Sequence, residues 1–161
     1  VHTAPQAAWG APETVYVRAS DTDGVTSLKG PTDSLEGGLR IVNGRLLVPN
    51  AHGSERIGLP LKVSAQYWTG ANWELSSKDE HSTVDSGKAV FSDFGAISLS
   101  ITPAGSQPLK NGSFGFSVKA TPAASGKADL IINDLEWLPS TKGRLKFGTY
   151  KSPLIYLRER Y

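Results

Sequence analysis

Few residues of this sequence have the side-chain chemistry of a catalytic group, and the histidines come first. His52 lies in a segment where Ser54 and Glu55 supply a hydroxyl and a carboxylate, so a Ser-His-acid triad can be written down. The Gly-x-Ser-x-Gly motif of a nucleophile elbow does not occur, and known triads take their members from separate parts of the chain. We therefore interpret the His52 segment as a polar loop with a capped turn. His81 has no second histidine at ligand spacing and is expected in a solvated loop.

Metal-ligating residues are equally sparse. Asp21 and Asp23, in the run Asp-Thr-Asp-Gly, resemble the opening of a calcium-binding loop and are the candidate metal ligands. Val25 and Leu28 then interrupt the pattern of oxygen donors, so a turn capped by aspartate side chains is the expected structure. The sequence contains no cysteine, which excludes disulfides, thiolate metal sites and cysteine nucleophiles. We expect no cofactor.

Two tryptophans beside a turn form the remaining candidate site. Trp68 falls on the parity of its segment that points away from the core, and Trp73 follows a turn that ends at Asn72. Two indoles and an amide at one hairpin tip can form a platform for a sugar ring or a partner protein. We favour the structural alternative, in which Trp68 covers the outer face of the sheet and Trp73 pairs across the strand. Trp9 and Trp137 are predicted to be packing residues.

Composition narrows the class of protein. The 17 basic and 15 acidic residues leave a net charge of +2, too small to indicate a nucleic-acid partner. No apolar run approaches the roughly 18 residues of a membrane span. A chain of 161 residues fits one domain. Because the sequence starts at Val1 and not at an initiator Met, we expect an excised or processed fragment of a larger protein, and the absence of a signal peptide says nothing about export.

Apolar and polar residues alternate with the period of β-strands in many short segments. In chain order the predicted strand segments lie at 14–20, 39–42, 45–48, 61–68, 73–75, 97–101, 114–118, 130–132, 143–150 and 154–159. The segment 130–132 does not alternate but is fully apolar, which suits a central strand. The first segment places Val15 and Val17 on one face, as in a half-buried strand. With no amphipathic helices between strands, the pattern predicts an all-β antiparallel sandwich of about nine or ten strands, or a barrel-like fold.

Some local features set the expected organisation of this domain. We expect residues 1–13 to form a linker or arm and residues 14–161 to form a single β domain. Asn43-Gly44 between two apolar runs predicts a hairpin, or one long strand with a bulge at Gly44. Residues 76–90 are polar and irregular. The last two strands should form a closing hairpin, in which Arg158 and Glu159 point to opposite faces as anchoring charges.

Two blocks of the sequence resemble a known family. They read Gly44-Arg45-Leu46, Asn50-Ala51-His52-Gly53-Ser54-Glu55, Leu59-Pro60-Leu61 and Gln66-Tyr67-Trp68-Thr69-Gly70, and then Phe147-Gly148-Thr149-Tyr150 and Ile155-Tyr156-Leu157-Arg158-Glu159. Together they are similar to the C-terminal domain of the biogenesis proteins of the mannose-sensitive haemagglutinin (MSHA) pilus, represented by MshQ. The resemblance implies export and an association with type IV pilus assembly or the cell surface. It brings no established catalytic residues.

These observations lead to an ordered set of functional expectations. The first is a non-enzymatic structural or interaction module of an exported, pilus-associated protein, located in the periplasm, at the outer membrane or outside the cell. Its partners would be other domains of the same chain and pilus or cell-surface proteins. The second is a glycan- or ligand-binding adhesin domain, and the third is a glycan-processing enzyme.

Overall fold

A computed structural model of the chain describes residues 10–27, 37–93 and 97–148. Within these ranges the chain forms thirteen strands and a short 3-10 helix, Ser86–Lys88. The strands are β1 (Glu13–Tyr16), β2 (Gly38–Ile41), β3 (Gly44–Leu47), β4 (Ala51–Gly53), β5 (Leu59–Trp68), β6 (Trp73–Leu75), β7 (Thr83–Asp85), β8 (Ala89–Ser92), β9 (Ser98–Thr102), β10 (Ser106–Pro108), β11 (Ser113–Thr121), β12 (Gly126–Ile132) and β13 (Gly143–Phe147). No helix in this part of the chain has the length and apolarity to cross a membrane.

Two sheets carry most of these strands. The five-stranded sheet has the order β3-β5-β11-β9, with β6 pairing the last residues of β5. The four-stranded sheet has the order β4-β13-β12-β8. Strands β7 and β10 form a separate antiparallel pair, and β1 and β2 form another, which we call the ribbon. The β4–β13 pair is parallel, whereas every other pair of these strands is antiparallel.

The inward-facing residues of both sheets form one hydrophobic core. Its members include Leu59, Leu61, Val63, Phe114, Phe116, Val118, Leu130, Ile132, Leu145 and Phe147. On each strand these residues alternate with more exposed ones, because successive side chains of a strand point to opposite faces. Burying one such side chain contributes about 1.5–3 kcal/mol. Burial of these alternate side chains is therefore what holds the two sheets together.

The predicted fold class is confirmed, since the described residues are all-β and arranged as in a sandwich or barrel-like fold. The number of strands exceeds the predicted nine or ten, because several three-residue strands are too short for alternation to indicate them. β4 lies in the segment 49–58, predicted as a loop, and β7 lies in the segment 76–90, predicted as irregular. Their partners, β13 and β10, are far away in sequence.

The chain does not form a hairpin at Asn43-Gly44, so that prediction is wrong. The flanking strands β2 and β3 belong to different sheets, so the alternative of one long bulged strand is wrong as well. Gly44 is needed for close packing instead: a Cβ atom there would lie 2.7 Å from Cδ1 of the buried Leu138. At this point the chain leaves the ribbon and enters the five-stranded sheet.

The ribbon also departs from its predicted burial. Val15 and Val17, expected on a half-buried face, are 39% and 58% exposed, and every residue of β1 and β2 is exposed. Within the described residues these two strands pair only with each other. Neither of the two main sheets covers them.

The closing hairpin is described only in its first half. β13 is present, and Leu145 and Phe147 share the buried face as predicted. The last three residues of β13 are paired along both edges, with β12 on one side and with β4 on the other. The predicted second strand, with Arg158 and Glu159, lies outside the described residues.

Candidate binding surface

Trp68 and Trp73 lie directly opposite each other on β5 and β6. Their ring centroids are 5.5 Å apart and the ring planes are tilted by 53°, which is a favourable geometry for an aromatic pair. Both side chains are half-buried on the outer face of the five-stranded sheet. The predicted cross-strand pairing is therefore confirmed, and it leaves part of each indole accessible.

Arg45 completes this surface from the neighbouring strand. Its Cζ atom lies 4.1 Å from the centroid of the Trp73 ring, a cation–π contact. Its Nε donates a hydrogen bond of 2.9 Å to Oε1 of Gln66, the residue directly opposite on β5. Burial lowers the pKa of the Arg45 guanidinium. We call Arg45, Gln66, Trp68 and Trp73 the platform.

The turn between the two tryptophans is tied by its own hydrogen bonds. The hydroxyl of Thr69 accepts from the backbone N–H of Asn72 at 3.0 Å and donates to the carbonyl of Asn72 at 3.0 Å. The Thr69 backbone N–H donates to the same carbonyl at 2.9 Å. These bonds fix the backbone, while the Asn72 residue is exposed beside Trp73. The structure thus brings all three predicted site residues to one hairpin tip.

The opposite face of this hairpin has a different character. Tyr67 donates a hydrogen bond of 2.9 Å to Oε2 of Glu74, and that bond raises the pKa of the Tyr67 phenol. A shallow cavity of about 350 Å³ beside it is lined by Arg40, Val42, Tyr67, Leu75, Ser76 and Lys78, among others. Its walls come from the hairpin and from the end of the ribbon, so the two regions meet here.

The other chemical candidates make structural hydrogen bonds. Nε2 of His52 donates to the carbonyl of Gly148 at 2.8 Å, and the Ser54 hydroxyl accepts from the Arg56 backbone N–H at 3.2 Å. His52 thus binds a backbone carbonyl, and Ser54 caps a turn as predicted. In the part of the chain that the structure describes, no group of three His, Asp or Glu side chains is placed to hold a metal ion.

The Asp21 and Asp23 segment forms the predicted turn. The Asp21 carboxylate accepts from the backbone N–H of Thr22 at 2.6 Å, and the Asp21 carbonyl accepts from the N–H of Gly24 at 3.1 Å. The His81 loop is similar, since the Asp79 carboxylate accepts from the N–H of Ser82 at 3.0 Å. In both segments the aspartate side chain binds its own backbone.

An ion pair between Asp129 and Arg144 joins two strands of the four-stranded sheet. Asp129 is only 4% exposed, and Arg144 donates hydrogen bonds to both of its carboxylate oxygens. The Arg144 guanidinium lowers the pKa of this carboxyl, with smaller contributions from Lys142 and Lys127 and an opposing effect of burial. This paired arrangement stabilises adjacent strands, because the residues are directly opposite in register.

Sequence reasoning missed two residues of the platform and misplaced a third tryptophan. Arg45 and Gln66 reach the indoles through the pairing of β3 with β5, which no local pattern reveals. Trp137, predicted to pack, is 60% exposed. It sits in a tight turn closed by a hydrogen bond from Leu138 to Leu135, whose side chains pack in or against the core. Such a turn cannot direct all its side chains inward.

Comparison with known proteins adds one result. Residues 42–160 match the model of the domain family described as DUF6701, fourth domain. The match covers more than half of the chain and begins directly after Ile41, the last residue of β2. The platform lies inside the matched region and the ribbon lies outside it. No curated protein and no solved structure matches the chain.

Proposed function

The chain belongs to the DUF6701 fourth-domain family, and from this premise we propose that it is a non-enzymatic interaction module of an exported, pilus-associated protein. In this role it supports type IV pilus biogenesis or surface attachment. The likeness of its two sequence blocks to the C-terminal domain of MshQ-like proteins supports the link to the pilus and an extracytoplasmic location. The partners are pilus or cell-surface proteins and other domains of the same polypeptide.

The platform is the observation that carries the interaction role. Tryptophan and arginine are the residues most often found at the energetic centre of protein interfaces. Here Arg45 is held between Gln66 and Trp73, so its position is set before any partner arrives. A surface ordered in this way loses less conformational entropy on binding. The platform therefore has the composition and the order of a binding surface.

Replacement of the platform in the full-length protein tests this role. In the native gene, Trp68→Ala combined with Arg45→Ala should lower pilus display or adhesion while the protein stays folded and exported. Val90→Ala is the matched control, since Val90 is an exposed apolar residue on the other sheet, at 45% exposure. Unchanged piliation and adhesion in the double variant, at normal protein levels, would contradict the proposal.

Glycan binding is the second candidate, favoured by the accessible indoles beside the Asn72 amide. Aromatic faces pack against the apolar faces of sugar rings, while an adjacent amide can bind their hydroxyl groups. Glycan-array screening of the chain, with Trp68→Ala and Asn72→Ala as comparison variants, separates this from protein binding. Signals that disappear in both variants would support it, and a blank array would remove it.

A further inference from the structure

One face of the ribbon carries four exposed apolar side chains. Val15 and Leu39 are directly opposite each other, and alternation along the strands places Val17 and Ile41 on the same side. Their exposures are 39% for Val15, 58% for Val17, 60% for Leu39 and 40% for Ile41. We call these four residues the ribbon face. They form an apolar strip on the surface of the described chain, and Glu13, directly opposite Ile41, borders this strip on the same side.

The opposite side of the ribbon is polar by comparison. Thr14 and Arg40 are paired there, next to Tyr16. The aliphatic side chains are thus concentrated on one side of the ribbon, while Tyr16 on the other side is 42% exposed. Concentration of apolar residues on one side is typical of a strand pair with one face buried. A two-stranded ribbon is marginally stable by itself in water and normally needs a further strand or a packed layer. Large contiguous apolar patches on a protein surface mark interaction sites.

The position of the ribbon indicates what covers this face. The family match begins at Val42, so the ribbon precedes the matched region, and the family is described as the fourth domain of DUF6701, which points to domains before it. The ribbon is attached to the matched region at its base, where Nδ2 of Asn43 donates to the carbonyl of Gly10 at 3.2 Å and the Trp68 N–H donates to the carbonyl of Asn43 at 2.8 Å. It therefore stands at the junction with the preceding part of such a polypeptide.

We propose that the ribbon face docks onto the domain that precedes this chain in the full-length polypeptide and is buried there. A covalently linked neighbour is present at high effective concentration, which favours docking through an apolar strip too small to hold two separate molecules together. The inference rests on the proposed function, because it names one partner of the interaction module and the surface that binds it. The ribbon would then set the orientation of the platform relative to the preceding domain.

Cysteine labelling tests this in the protein itself, because the chain has no cysteine of its own. Leu39→Cys and Val17→Cys are prepared separately in the 161-residue chain and in the full-length protein, and maleimide modification of the corresponding peptide is followed by mass spectrometry. We expect rapid labelling in the 161-residue chain and labelling slower by about tenfold or more in the full-length protein, since a docked face reacts only when it opens. Ile57→Cys is the control, because Ile57 is 65% exposed within the matched unit and should react equally in both proteins.

Each other outcome overturns the inference. Equal rates in the two proteins would show that no preceding domain covers the face. Slow labelling in the 161-residue chain would show that its own residues cover the face or, if the rate falls with protein concentration, that a second copy does. These rates are independent of the platform, so equal rates leave the pilus and adhesion results of Trp68→Ala with Arg45→Ala standing, and a failure of those results leaves the rates interpretable.

Discussion

Strands β5 and β1 have the same alternating sequence pattern but differ in burial. In β5, Leu59, Leu61 and Val63 alternate with more exposed residues and are at most 4% exposed. In β1 and its continuation, Val15 and Val17 alternate in the same way and remain 39% and 58% exposed. The difference lies in the neighbours, because β5 runs between β3 and β11 over a shared core whereas β1 pairs with β2.

This contrast shows what alternation measures. A period of two reports that one face of a strand is apolar, which is a property of the segment itself. Burial requires a second apolar surface opposite that face, and the free energy gained scales with the area that both remove from water. The body formed by the two sheets supplies that surface to itself, and we infer that the ribbon obtains it from another domain.

The largest effect is expected from truncating the body's core. Leu145 is 0% exposed between β12 and β4, and Leu145→Ala should lower the free energy of unfolding by about 2–5 kcal/mol through lost burial and the cavity left behind. Urea unfolding followed by tryptophan fluorescence measures it. Leu39→Ala on the ribbon face is the matched control and should cost less than about 0.5 kcal/mol in this chain. Equal losses of unfolding free energy in the two variants would mean that the core and the ribbon face do not differ in burial.

Alanine substitution of one glycine in the body and one beside the ribbon extends the comparison of burial. A Cβ at Gly143 would lie 2.6 Å from Cγ1 of Val48 and 2.7 Å from the carbonyl oxygen of Pro49. Gly143→Ala should therefore destabilise the chain by about 1–3 kcal/mol, because the backbone of a neighbouring segment must move. At Gly37, beside the ribbon, the same atom would meet nothing within 4 Å. A thermal melt in which Gly37→Ala lowers the midpoint as much as Gly143→Ala would contradict this account.

The body also orders polar groups on its outer side, which a pH titration can detect. The hydrogen bonds from Arg144, one of them 3.0 Å long, lower the pKa of the Asp129 carboxyl in the folded chain. A carboxyl with a lowered folded pKa contributes stability above its unfolded pKa of about 4, and this contribution is lost as the pH falls through the folded value. Asp129→Asn should therefore lower stability at neutral pH and flatten its decline in acid.

Unfolding free energies between neutral pH and about pH 2 measure this effect, across the range in which aspartate titrates. Arg144→Lys is the informative companion variant, since lysine keeps the charge but loses the two-pronged hydrogen bonding of the guanidinium. We expect it to fall between the native chain and Asp129→Asn. Parallel pH profiles for native and Asp129→Asn chains would show that the ion pair adds no linked stability.

The smallest effect on stability is expected at the platform, whose side chains are half-buried, between the buried core and the exposed ribbon face. Arg45→Ala removes the cation–π contact with Trp73 and should cost about 0.5–1 kcal/mol, with a shift of tryptophan emission toward longer wavelength. Arg45→Lys should retain part of the stability but lose the hydrogen bond to Gln66. Unchanged emission in Arg45→Ala would mean that the guanidinium does not shield the indole in solution.

Prediction from the sequence worked best for long, regular segments. The pattern of residues 61–68 indicated a strand with Leu61, Val63, Ala65 and Tyr67 facing the core. The first three are buried, whereas Tyr67, near the end of the strand, is half-buried. Prediction failed for three-residue strands such as Ala51–Gly53, whose existence depends on a partner about ninety positions away. It failed again at Asn43-Gly44, where a local turn signal was overridden because packing against Leu138 requires a glycine.

The candidate site also contains residues that the sequence could predict and residues that it could not. The hairpin of Trp68 and Trp73 was predictable, because a turn signal lies between two strand segments close together in sequence. Arg45 and Gln66 were not, since the register between β3 and β5 determines which side chains meet the indoles. Register depends on the whole face of a sheet being buried at once, so a single segment does not contain it.

The sequence by itself determined that the chain is built from strands, which face of each long strand is apolar, and that two indoles flank one turn. Only the tertiary structure decided which of those faces are covered, which strands are neighbours, and that an arginine stacks on Trp73. The physical reason is the distance along the sequence over which each interaction acts. Alternation and turn chemistry act over a few residues, whereas burial and strand pairing join segments that only the folded chain brings together.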